Sequence, residues 1–139
     1  MYPAELVAPM KEDLTSAGFD ELTTPDAVDQ VLKDNSEGTV LMVVNSVCGC
    51  AAGNARPGAK MSVQGAKKPS KMVTVFAGVD KEATEQARKY LLPYPPSSPS
   101  IALFKNGRLV HMLERHNIEG HPAEMIAENL QAAYDEFVD

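Results

Sequence analysis

The chain has no tryptophan, only four tyrosines and four phenylalanines, and just two cysteines in 139 residues. Two thiols cannot staple a small secreted scaffold, so the core must come from apolar burial, and a reducing compartment suits the pair. Basic residues are the minority: 13 Lys and Arg against 19 Asp and Glu leave a net charge of −6. That balance argues against nucleic acid as a partner. No apolar run nears the roughly 20 residues that cross a bilayer, so no membrane span is expected. The opening Met1-Tyr2-Pro3-Ala4-Glu5 lacks a basic region followed by an apolar one, and a cytoplasmic location is expected. Internal repeats and low-complexity tracts are missing too, and the short cluster Lys67-Lys68 with Lys71 reads as a solvated loop.

What remains is an ordinary globular balance, 44% hydrophobic and 23% charged, long enough for one domain over residues 1–139. Leu6, Val7, Met10 and Leu14 recur at helical spacing, predicting a helix over 3–17 that ends at Gly18, with its apolar residues in the core. Thr24 as N-cap with Pro25 behind it predicts a second helix, stopped by Gly38. The run Val40-Leu41-Met42-Val43-Val44 suits a central strand covered on both faces. A helix over 51–63 follows, with Pro57 expected to kink it. Residues 71–77 form the next strand, and Asp80 caps a helix to about Leu92. The proline-rich stretch 93–99 is loop. Residues 100–105 and 108–114 make a hairpin around Asn106-Gly107, and a last helix begins at Pro122. Helices between the first three strands imply parallel crossovers, and the tight turn adds an antiparallel edge. The expected architecture is α/β, a mixed four-stranded sheet with helices on both faces and extra helices at the N-terminus.

The two cysteines stand together as Cys48-Gly49-Cys50, where the first strand passes into a helix. A bridge between such near neighbours closes too small a loop to stabilise the fold much, which points to chemistry. The unpaired N–H groups of a helix's first turn favour a thiolate, so Cys48 is expected to have a lowered pKa and to attack disulfides. Cys50, expected to be the more shielded, resolves the mixed disulfide. With one spacer residue the disulfide ring is small, which predicts a couple more oxidising than the roughly −270 mV of thioredoxin. Gly49 is the residue best able to shape the backbone for that ring.

The rival reading is a metal-binding or metal-delivery module, in which the Cys-x-Cys pair supplies two thiolates and His111, His116 or His121 adds nitrogen. No second cysteine pair completes a tetrahedral set, and the histidines read as edge-strand and cap residues rather than ligands. Pro99 either ends a loop or forms a cis peptide with Ser98. In the second case the loop lies beside the Cys48 turn and turns the Ser98 backbone toward an incoming substrate.

The segment 98–107, Ser-Pro-Ser-Ile-Ala-Leu-Phe-Lys-Asn-Gly, resembles the cis-proline, strand and turn of thioredoxins. Cys-Gly-Cys, within Asn45-Ser46-Val47-Cys48-Gly49-Cys50-Ala51 and followed by Arg56-Pro57-Gly58, is instead similar to bacilliredoxins, small thioredoxin-like bacterial proteins. The resemblance implies a thioredoxin-like three-layer α/β/α sandwich. It implies a thiol–disulfide oxidoreductase that removes bacillithiol from mixed disulfides on cytosolic proteins, with weak disulfide isomerase or reductase activity. It also implies no bound cofactor, with bacillithiol as co-substrate and S-thiolated proteins as partners. Cys48 and Cys50 would be catalytic, Pro99 would take the cis-proline position, and Ser98, Asn45 and Arg56 would line the substrate site. Arg56 would support the thiolate or, alternatively, face solvent.

Overall fold

The computed structural model describes residues 2–139. In chain order the elements are α1 (Ala4–Thr15), β1 (Asp20–Glu21), α2 (Pro25–Asp29) running into a π-helical turn (Gln30–Asp34), and β2 (Thr39–Asn45). A second π-helical turn (Ala51–Ala55) leads into α3 (Arg56–Ser62), followed by β3 (Lys71–Phe76) and α4 (Lys81–Lys89). The hairpin β4 (Ser100–Lys105) and β5 (Arg108–Leu113), the short α5 (Arg115–Ile118) and α6 (Ala123–Phe137) complete the chain.

One mixed sheet in the order β1-β3-β2-β4-β5 divides the molecule. The continuous apolar run of β2 is explained by its position at the centre. Leu41 and Val43 point into a core shared with Phe19 from the link before β1 and with Ala59, Ile126, Leu130 and Tyr134 from one helical layer. Val40, Met42 and Val44 point the other way, against Val28 of α2, Leu32 of the π-helical turn that follows it, and Ala83 and Ala87 of α4. All seven residues of β2 are buried, and each large aliphatic side chain removed from water contributes roughly 1.5–3 kcal/mol.

Local signals behave as their chemistry dictates at several points. Thr24 caps α2 through its hydroxyl, which accepts from the Ala27 N–H at 3.1 Å, with Pro25 in the first turn. Asn106 and Gly107, with φ of 52° and 80°, take the left-handed conformations that a tight hairpin requires. Asp80 occupies the N-cap position of α4, but its carboxylate binds Lys11 Nζ at 3.0 Å and makes no cap. Pro57, which cannot donate to the carbonyl four residues back, sits in the first turn of α3 directly after the π-helical turn. There the Arg56 N–H reaches back to the Ala51 carbonyl, and the widened turn absorbs the irregularity expected of Pro57.

Three expectations require correction. The sheet has five strands, because residues 20–21 pair in parallel with Val73 and Thr74; two residues are too short for a periodic signal. Leu6 on α1 is exposed at 47%, so the core receives Val7 and Leu14 from that helix and not its whole apolar set. The third principal strand also runs the other way. β4 is antiparallel to β2, with Val44 opposite Ser100 and Thr39 opposite Lys105. The reason is the loop after α4: ten residues extend as far as about 33 Å, whereas a six-residue strand covers only about 20 Å. The chain therefore passes back along the sheet before β4 begins.

Candidate functional site

Reversal of β4 is what assembles the site. The start of β4 lies beside the end of β2, so the loop carrying Ser98 and Pro99 flanks the turn carrying the cysteines. The Ser98–Pro99 peptide is cis, as is Leu92–Pro93. Across from it, the chain leaves β2 at Asn45 and starts a helix at residue 49. The Cys48 carbonyl accepts from the Ala51 and Ala52 N–H groups at 3.0 and 3.3 Å, placing Cys48 at the helix mouth.

Both cysteines are free thiols and both are half-buried, so exposure does not rank them. Hydrogen bonding does. Burial pushes the Cys48 thiol up. Hydrogen bonds to its sulfur from the Cys50 thiol, the Ala51 and Cys50 N–H groups and the Ser46 hydroxyl outweigh that and hold it below its ordinary value. Cys50 is raised by its own burial, by the bond it makes to Cys48 and by the charge on that sulfur. The Arg115 guanidinium opposes the rise and Glu119 adds to it. The shifts are opposite in sense, so Cys48 is the sulfur that gives up its proton first.

The residues around this pair have distinct tasks. Asn45 is fully buried. Its side-chain N–H donates to the Met10 carbonyl at 3.1 Å and its oxygen accepts from the Ser46 N–H at 2.9 Å. It therefore pins α1 to the end of β2 and orients Ser46, and it exposes no surface to solvent. Its replacement by alanine strands the Ser46 N–H, and the expected cost is about 2–3 kcal/mol, read as a lower midpoint in urea unfolding without a change of slope.

Arg56 is not solvent-facing; only 3% of it is exposed. Its guanidinium donates to the same Met10 carbonyl at 3.3 Å and to the Ala51 carbonyl at 3.4 Å, and faces Asp13 at 3.7 Å. Burial lowers its pKa, while the charges of Asp13 and Cys48 act in the opposite sense, so it contributes positive field at Cys48. Gly49 departs from the role expected of it. It is helical, its φ is not in the left-handed region, and a Cβ there would meet nothing within 4 Å. Nothing in the dithiol form requires glycine at 49, so any such requirement belongs to the disulfide form.

Sequence reasoning missed Ser46 and Arg115. Ser46 accepts from the Cys48 N–H at 3.3 Å. Arg115, on α5, donates from Nη1 to the Ser98 carbonyl at 3.3 Å and from its backbone N–H to the Ser97 hydroxyl at 3.4 Å. Arg115 carries no spacing signal, because a chain crossing brings it to the cysteine loop, whereas Ser46 stands only two residues before Cys48 and was within reach of a local reading. The histidines are dispersed: His111 bonds Asn129 at 2.6 Å, His116 faces Glu114 at 3.8 Å, and the His121 carbonyl accepts from the Asn54 side chain. Among the described residues no three His, Cys, Asp or Glu side chains gather as metal ligands, and no helix is long and apolar enough to cross a membrane.

Residues 2–138 match the protein-family model described as Disulphide isomerase. A Bacilliredoxin of Cytophaga hutchinsonii is 61% identical over 136 residues, which cover 98% of this chain and 99% of that protein. A Bacilliredoxin of Bacillus cereus is 54% identical over 132 residues, covering 95% and 90% of the two chains. Among solved structures, reduced thioredoxin pre-protein of Schistosoma mansoni superposes with a TM-score of 0.60 at 18% identity, covering 86% of this chain and 98% of that one. Mitochondrial thioredoxin 3 of Saccharomyces cerevisiae gives 0.60 at 16% identity, covering 90% and 99%. At those identities the likeness establishes the fold, a thioredoxin-like α/β/α sandwich.

Proposed function

The chain belongs to the bacilliredoxin family, and from that premise we propose that it removes a low-molecular-weight thiol of the bacillithiol type from mixed disulfides on cytosolic proteins. A thiol–disulfide oxidoreductase role is the coarse statement that its relatives and fold support. The observation that carries the finer reading is the placing of Cys48 at the helix mouth beside the cis Ser98–Pro99 loop, and the opposite shifts of Cys48 and Cys50 agree with it.

The chemistry balances without a bound cofactor. The Cys48 thiolate attacks the sulfur of the small thiol; the S–S bond to the client breaks, and the client thiolate leaves and takes a proton from water. A new disulfide now joins Cys48 to the small thiol. Two of the causes that raised Cys50, its bond to Cys48 and the charge on that sulfur, vanish at this moment. Cys50 therefore acidifies once Cys48 is capped. Its thiolate attacks Cys48, expels the small thiol, and its former proton ends on the leaving sulfur. The resulting Cys48–Cys50 disulfide is returned to dithiol by an external thiol reductant, which supplies two electrons and two protons.

Removal of the second sulfur tests the order. A Cys50→Ala variant given a bacillithiolated protein should accumulate one bacillithiol adduct, located on Cys48 by peptide mass spectrometry. An adduct found on Cys50 in a Cys48→Ala variant, and none in the converse experiment, would reverse the assignment.

A further inference from the structure

Arg115 is tied into the site from three sides. Its backbone N–H meets the Ser97 hydroxyl and its Nη1 meets the carbonyl of Ser98, the residue before the cis-proline. Its Nε donates to Glu119 at 2.9 Å, one turn along. These bonds hold the guanidinium at the rim where the proline loop faces the thiols. They do not exhaust it, because a guanidinium carries five N–H donors and no bond among the described residues uses Nη2. The side chain is 48% exposed, open to a ligand arriving from solvent. Both sulfurs lie close enough for their charges to act on it.

We propose that Arg115 is a specificity-determining residue, whose unused N–H donors engage a carboxylate on the small thiol being transferred. The inference rests on the thiol-removal reading above and narrows its substrate class to anionic low-molecular-weight thiols. A planar fork beside the reacting sulfur suits a carboxylate, which accepts two parallel hydrogen bonds, better than a neutral or cationic group. The overall charge of −6 gives the protein no general attraction for anions, so local selection has to come from a residue placed at the rim. Glu119 limits the effect by engaging Nε; an anionic substrate binds beside it, on the Nη2 side.

The test compares three caps of similar size on one protein thiol: 3-mercaptopropionate, 2-mercaptoethanol and cysteamine. Each release rate is normalised to the rate with dithiothreitol, which removes the intrinsic reactivity of the cap. The wild-type chain should favour the carboxylate cap over the neutral one by about threefold, the size an exposed ion pair supplies, with the cationic cap slowest. In Arg115→Gln the carboxylate-to-neutral ratio should fall to about one, Arg115→Lys should retain part of it, and Glu119→Gln should enlarge it. An equal ratio in wild type and Arg115→Gln, or no preference in wild type, overturns the proposal. Failure of the wild type to release any cap is a different result: it overturns the thiol-removal reading itself, and this inference with it.

Discussion

Alkylation of the dithiol protein should follow a titration whose midpoint lies below the roughly 8.5 of a free cysteine, and Cys48→Ser should reduce thiol transfer to the uncatalysed rate. The direction of the midpoint follows from the bonds at that sulfur: donors from Cys50, Ala51 and Ser46 favour the anion against the penalty of burial. Reactivity rises as pH passes upward through the Cys48 midpoint, so a lowered value moves the rise toward neutrality. Cys50→Ala deletes one of those donors and should shift the midpoint of Cys48 alkylation back up, while Ser46→Ala should do so less. A midpoint that stays put in Cys50→Ala would show that the second sulfur does not hold the proton. Stability obeys the same sign. Between the lowered folded value of Cys48 and its unfolded value, the unfolded chain binds the extra proton, so that group's contribution grows with pH and is lost below its folded midpoint. Cys50, raised in the folded state, contributes in the opposite sense, being fully present below the unfolded value and lost as pH climbs through the folded one. The two windows lie on either side of the unfolded value, so the thiols' contribution to stability rises through the first and falls through the second.

A single methyl group at Gly58 should destabilise the protein by about 2–3 kcal/mol, beyond the gain in helix propensity. Here α3 crosses α6 so closely that a Cβ on Gly58 would stand 2.6 Å from Cγ2 and 2.8 Å from Cβ of Ile126, and 3.2 Å from the Ala123 carbonyl. Ile126 is buried at 2% exposure and its Cβ cannot swing aside, so the helices must separate. For a chain of this length the loss corresponds to a fall of roughly 5–10 °C in Tm. Trimming the partner should recover much of it, with Gly58→Ala/Ile126→Ala losing less than the sum of the single variants. Additive losses would mean that the close crossing is not the cause. Separation of α3 from α6 should also slow thiol transfer. The same helical segment begins at the cysteines and is tied through Asn54 to the turn before α6.

How much of this was readable before folding differs from residue to residue. The thiol pair, its place between strand and helix, the Thr24 cap and the hairpin at Asn106-Gly107 depend on neighbours in the chain, so they are written in local chemistry. The alternation of β2 between two cores was legible for the same reason: an unbroken aliphatic run leaves no face for water. Gly58 could be seen as one small residue among several, but its need to stay small arises from Ile126, 68 positions away in the chain. Asn45 and Arg56 were recognisable by resemblance. Their real task, clamping a carbonyl of α1, was not, because hydrogen-bond partners in other elements leave no periodic trace.

By itself the order of amino acids determined that a thiol pair would stand at the mouth of a helix, because capping and strand propensity act over a few residues. Tertiary structure alone decided the direction of β4, and with it the placing of Arg115 at the proline loop that flanks the two sulfurs. The sense of a strand depends on how far the preceding loop carries the chain back across the sheet, and no local interaction sets that distance.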